Sequence, residues 1–153
     1  MLLGVLGLAA CGAEKAPEFC KNHGPFHQQH RDELGSLTVT MHAGGGLQSE
    51  LRLPLAAAGA EGRAILGDVS KVYTVQTASE CAPASPSVAE QGNMLVASYE
   101  TSCGAANKLG QLDVQLFDSL PMLEEIEVFV STPVAEKHFA INRQCENAIF
   151  RLR

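Results

Sequence analysis

SLTVTMHAGGGLQSELRLPL, residues 36–55, carries the clearest fold signal in the chain. Leu37, Val39 and Met41 alternate with Thr38, Thr40 and His42, and Leu47, Leu51, Leu53 and Leu55 alternate with Gln48, Glu50 and Arg52. A period of two belongs to a strand, whose successive side chains point to opposite faces. Ala43-Gly44-Gly45-Gly46 joins the two runs, so the stretch predicts a β-hairpin closed by a glycine-rich loop. Pro54 has no N–H to give to a ladder and marks the end of the pairing run.

The same alternation returns further on. Leu95, Ala97, Tyr99, Thr101 and Cys103 share one face of an expected strand. Leu112, Val114 and Leu116 predict another, and Ile126, Val128 and Val130 a third, with Asp113, Gln115, Glu125 and Glu127 facing water. Residues 138–142 and 148–152 finish the chain as two short strands. Between the halves, 61–66 suits a short helix and 72–77 a strand leading toward Cys81. Residues 82–92, APASPSVAEQG, hold two prolines among small residues and predict an exposed loop. No internal repeat is present. The expected class is α+β: a mainly antiparallel β-sheet or sandwich with one or two short helices.

Composition bounds the rest. A chain of 153 residues has room for one domain of ordinary size. With no Trp and only six Phe, its core must rest mainly on Leu, Val, Ile and Ala. A formal charge of -6 argues against nucleic acid, whose phosphates need a basic surface.

The N-terminus speaks to location. Residues 1–10, MLLGVLGLAA, are apolar or small throughout. They are too few to span a bilayer, which takes ~20 residues in a helix, but they suit the apolar region of a secretory signal. Leu8-Ala9-Ala10-Cys11 has the form of a bacterial lipobox, in which small residues flank the scissile bond and the thiol carries a diacylglycerol. No Lys or Arg precedes the apolar run. The division expected is a lipoprotein signal peptide over 1–10, a flexible tether over 11–19 bearing lipidated Cys11, and one β-rich domain over 20–153. Glycine rather than aspartate after Cys11 favours the outer membrane over the inner, with the domain facing the periplasm.

Four cysteines remain: Cys20, Cys81, Cys103 and Cys145. An even set in an exported chain reads as two disulfides, with three connectivities open. None forms C-x-x-C, which disfavours a redox motif or a zinc ribbon.

Catalysis finds little support. No nucleophile elbow is present, and the carboxylate pairs Asp32/Glu33 and Glu124/Glu125 are sequence neighbours, which a strand would point apart. The expectation is a protein that is not an enzyme. The histidines offer the one candidate site. His23, His27 and His30 fall within eight residues, followed by Asp32 and Glu33. If residues 25–34 are helical, opened by Pro25, then His27 and His30 share a face at i and i+3. Imidazole with carboxylate suits zinc. Against this, H-x-x-H alone is a common spacing, and exposed histidines often bind nothing. His42 and His138 sit on polar strand faces.

The second half carries a resemblance. Tyr99-x-x-x-Cys103, then Leu112-Asp113-Val114-x-Leu116-Phe117-Asp118-x-x-Pro121-x-Leu123-Glu124-x-Ile126-x-Val128, then Thr132-Pro133, resembles the ZrgA-type periplasmic zinc-uptake proteins. These are His-rich exported proteins that work beside a zinc ABC transporter. The hairpin of residues 36–55 is similar to the family's opening strands, and the likeness runs from about His23 onward. It implies a Cys81–Cys103 disulfide, which leaves Cys20–Cys145. It also implies zinc as the ligand, for which the cluster His23, His27 and His30 is the candidate holder here, and a zinc ABC transporter as partner. The chain departs from the family where the long His-rich insertion would lie, between Cys81 and Tyr99, and carries ASPSVAEQGNM instead. The family's opening His-x-His-Gly is reduced to Asn22-His23-Gly24, and Ala135-Glu136 stands in place of Gly-Gln. Two function classes are therefore expected: a zinc-binding accessory of uptake or buffering, or a non-catalytic envelope lipoprotein acting as a protein-interaction module without metal.

Overall fold

A computed structural model describes residues 34–77, 80–82, 84–104, 109–143, 145 and 149–151. The hairpin is where the alternation put it. Strand β1 (Gly35–Met41) pairs antiparallel with β2 (Gly46–Pro54), Leu37 opposite Leu51 and Met41 opposite Leu47. Leu37, Val39, Leu51 and Leu53 are all fully buried. Each such side chain contributes about 1.5–3 kcal/mol relative to leaving it in water. The loop is closed by Gly45 N–H on His42 O and His42 N–H on Gly46 O. Gly45 has φ 86°, and a Cβ there would lie 2.5 Å from the carbonyl oxygen of Cys103. Close backbone approach, as well as turn geometry, therefore requires glycine at this position.

The hairpin is the middle of a larger sheet. β2 also pairs antiparallel with β5 (Met94–Ser102), and β5 with β4 (Ser85–Gln91). On the other side, β1 pairs with β7 (Glu125–Thr132), which pairs antiparallel with β8 (Ala135–Asn142). The strand order is β4-β5-β2-β1-β7-β8. The β1–β7 ladder is parallel, Gly35 opposite Ile126 and Val39 opposite Val130. The sheet is thus mixed, with one parallel pair in an otherwise antiparallel array. Alternation cannot announce this, since it fixes a strand's faces and not its neighbour's direction.

β4 corrects an expectation. Residues 82–92 were expected to loop, yet Ser85–Gln91 form an edge strand. Its core-side positions are Pro86, Val88 and Glu90, so one apolar residue alone marks the buried face. Pro86 is tolerated because an edge strand has a side with no ladder to donate to. Gly92, with φ 63°, makes the turn into β5.

A second sheet, β3-β6-β9, is built from β3 (Tyr73–Thr77), β6 (Leu109–Val114) and β9 (Ile149–Arg151). Leu116 does not extend β6 as its spacing suggested. Gln115 turns into the helical region and Leu116 opens a short helix, α3 (Leu116–Ser119), where it stays fully buried. Two more short helices, α1 (Leu55–Ala58) and α2 (Gly62–Leu66), and a 3-10 turn at Val69–Lys71 connect the sheets. Leu55 opens α1 and is 37% exposed, so the hairpin's apolar run ends at Leu53.

One cluster of buried side chains draws on both sheets and the helices. Two tyrosines stitch the layers. The Tyr73 hydroxyl lies 2.6 Å from Ser49 Oγ on β2, and the Tyr99 hydroxyl donates to Leu66 O at 2.7 Å. Their rings meet edge to face at 6.2 Å. Desolvation by burial raises both phenols above the ordinary value, so they stay neutral.

Two further ties hold the ends. Cys81 and Cys103 form a disulfide, Cα atoms 4.2 Å apart and 22 residues apart in sequence. Closing a loop of that size stabilises by about 3 kcal/mol in the chain-entropy account. At the other end, the Arg143 guanidinium donates to the carbonyls of Phe117, Leu120, Pro121 and Leu123, at 2.7 to 3.0 Å. It also lies 5.8 Å from the Phe117 ring centroid. This fan of donors fixes the loop that leads from α3 into β7.

Candidate functional site

The sequence put its metal ligands at His23, His27 and His30, and its lipid on Cys11; all four lie outside the described residues. Cys145 is buried and disulfide-bonded, while its expected partner Cys20 lies outside the described residues. Among the described residues no group of three or more His, Cys, Asp or Glu side chains is placed to hold a metal ion. No helix among them is long and apolar enough to cross a membrane.

Two histidines, His42 and His138, lie among the described residues. His42, exposed where β1 ends, has Nε2 2.9 Å from Gln48 Oε1. The Gln48 amide reaches Glu100 Oε1 at 3.4 Å. His138 stands on β8, its ring parallel to Phe129 at 4.6 Å and its Nε2 3.7 Å from Glu127 Oε1. The two histidines belong to different parts of the large sheet, His42 in the loop that follows β1 and His138 on β8.

The side of the large sheet opposite the core is where polar chemistry collects. Strand register sets it in rows. Ser85, Glu100, Gln48, Thr40, Ser131 and Glu136 align across the six strands. The next row reads Ser87, Ser98, Glu50, Thr38, Phe129 and His138. A shallow groove of about 270 Å³ runs between β1, β2 and β5, lined by Thr38, Thr40, Gln48, Glu50, Ser98 and Glu100 among others. Hydroxyls, an amide and two carboxylates give it both donors and acceptors. The Arg52–Glu50 pair at 3.6 Å is half exposed and holds little energy.

A second recess, about 230 Å³, is lined by Asp113, Gln115, Phe117, Asp118 and Arg143 among others. Its cation is already engaged by backbone carbonyls, and Gln115 Nε2 donates to Asp113 at 2.8 Å.

Each polar position of the first groove was legible as the wet side of a strand. Their assembly was not, because it depends on which strands are neighbours. Arg143 gave no signal at all, since a single arginine after a strand has no pattern to betray a carbonyl clamp. No protein-family model matches the chain, and no curated protein matches it.

Proposed function

We propose that the chain is a non-catalytic, lipid-anchored protein of the bacterial envelope whose β domain binds a protein partner on the polar side of its large sheet. The observation that carries this reading is the alignment of Glu100, Gln48 and Thr40, and of Ser98, Glu50 and Thr38, across three central strands. Such a surface recognises through hydrogen bonds on a rigid support, with side chains held at strand spacing. The Cys81–Cys103 disulfide supports an oxidising compartment outside the cytoplasm. The lipobox at Cys11 supports anchoring, and Gly12 the outer membrane. A photo-crosslinking residue at Glu50, in the native envelope, should yield a discrete adduct that a control at Glu61 does not. Identical adduct patterns from both positions would remove this face as the binding surface.

A second reading is favoured by one feature of the sequence, the three imidazoles of His23, His27 and His30, together with the ZrgA-type resemblance. In it the N-terminal segment holds zinc beside an uptake system such as a zinc ABC transporter. Zinc needs neutral imidazole, so binding should fade as pH falls through about 6.5. Calorimetry with zinc at neutral pH, on the chain from Gly12 onward, should show binding that the double variant His27→Ala/His30→Ala abolishes. His42→Ala and His138→Ala should leave it unchanged. No uptake, or uptake unaltered in the double variant, leaves the protein-binding reading alone.

A further inference from the structure

The two ends of the large sheet differ in what they carry. One end holds the 42–45 loop, the turn between β7 and β8, and the Cys81–Cys103 disulfide. The other holds the start of β1 at Gly35, the Gly92–Asn93 turn, the loop after α3 and Cys145, whose N–H bonds Asn142 O at 3.0 Å. The chain enters the described fold at this second end. Of the large apolar side chains exposed among the described residues, Leu55 and Met122 stand at this end, and Val134 at the opposite one. Met122 is 69% exposed, on a loop whose carbonyls at Leu120, Pro121 and Leu123 are held by Arg143. An apolar side chain is thus presented to solvent on a fixed backbone.

We infer that the end of the sheet bearing Gly35, Met122 and Cys145 faces the membrane, with Met122 resting at the phospholipid surface. The inference rests on the lipid anchor proposed at Cys11. Cys145 is disulfide-bonded and Cys103 is held by Cys81, so with Cys11 acylated the partner expected for Cys145 is Cys20. Eight residues lie between Cys11 and Cys20, so nine residue steps then separate lipid from domain. They reach about 30 Å at full extension, and about 17 Å as a typical coil. A nine-residue strand such as β2 is itself about 30 Å long. A tether of that length, fixed at one end of the sheet, keeps that end near the bilayer and the other away from it. The net charge of -6 offers no attraction to anionic lipid, so tether and apolar contact set the orientation. The polar groove runs along the strands between the two ends and stays open to a partner.

The chain contains no Trp, so a single one reports its own surroundings. The full, lipidated protein would be bound to phosphatidylcholine vesicles containing a brominated lipid, with Trp placed either by Met122→Trp or by Val134→Trp. Both positions are exposed and should accept the ring. Flotation reads the anchor and fluorescence quenching reads the orientation. The expected result is that both variants float, with Trp at 122 quenched several-fold more than Trp at 134. Floating protein with equal quenching, or more at 134, overturns the orientation alone. Protein that does not float overturns the anchor and the orientation with it.

Discussion

Two hairpins lie side by side in the large sheet, and they are made in different ways. β1–β2 is central, with its inward residues nearly all apolar and fully buried. β4–β5 has the same topology but ends at the sheet's edge, and β4 offers the core only Val88 between Pro86 and Glu90. A central strand is specified by its own side chains. An edge strand can be specified by its partner, because β5 supplies the ladder and most of the apolar surface.

That contrast can be broken by measurement, the largest effect first. Leu51→Ala empties a fully buried position on β2 and should cost about 3 kcal/mol, whereas a valine-to-alanine change at half-buried Val88 should cost under about 1. Urea unfolding of the two variants checks it; equal losses would mean that β4 is as much a part of the core as β2. The turns provide the next test. Gly45→Ala drives a Cβ onto the Cys103 and Gly104 carbonyls, while Gly92→Ala meets nothing within 4 Å. The second should cost only the positive-φ penalty of about 1 kcal/mol, and the first about twice that or more. If both lose the same amount, the approach of the 42–45 loop to Cys103 is not tight.

Tyr99, on β5, the strand through which one hairpin pairs with the other, gives a pH test. Burial raises its pKa, and that of Tyr73, so the folded state favours the neutral phenol. Their contribution is complete below the unfolded value of about 10 and is lost as pH rises beyond it, by up to about 1.4 kcal/mol per unit for each group. Tyr99→Phe should flatten the fall in urea midpoint between pH 9 and pH 11. An unaltered slope would place the alkaline sensitivity elsewhere. The smallest effect belongs to Arg63 on α2, which donates to Val88 O and pairs with Glu90 at 3.1 Å. Both side chains of that pair are more than half exposed, and Arg63→Ala should cost under about 1 kcal/mol by thermal unfolding.

The hairpins also mark how far the amino-acid order could be read. Strands with regular alternation, β1, β2 and β7, were found with their faces assigned. β4 was not, because polar and proline residues are permitted where a ladder is one-sided. The Leu116 turn was missed because a buried leucine is compatible with either strand or helix at that spacing. The Cys81–Cys103 pair was reached through family likeness, since four cysteines alone leave the pairing open. Of the functional proposals, the groove became visible only once register had brought Thr38, Glu50 and Ser98 into one row. The histidine cluster stands on composition in residues 23–30.

The parallel ladder between β1 and β7 has a consequence in time. Its partners, Gly35 and Ile126, stand about 90 residues apart in the chain, a separation that slows pairing because a long loop must be closed first. A chain delivered from its N-terminus presents β1 long before β7 exists. Through that interval one flank of β1 is an open ladder beside a row of leucine and valine, the kind of edge that recruits other chains. This interior boundary of the finished sheet is therefore its most vulnerable during biogenesis, and a holding factor that shields extended apolar chain matters most until residue 131 has emerged.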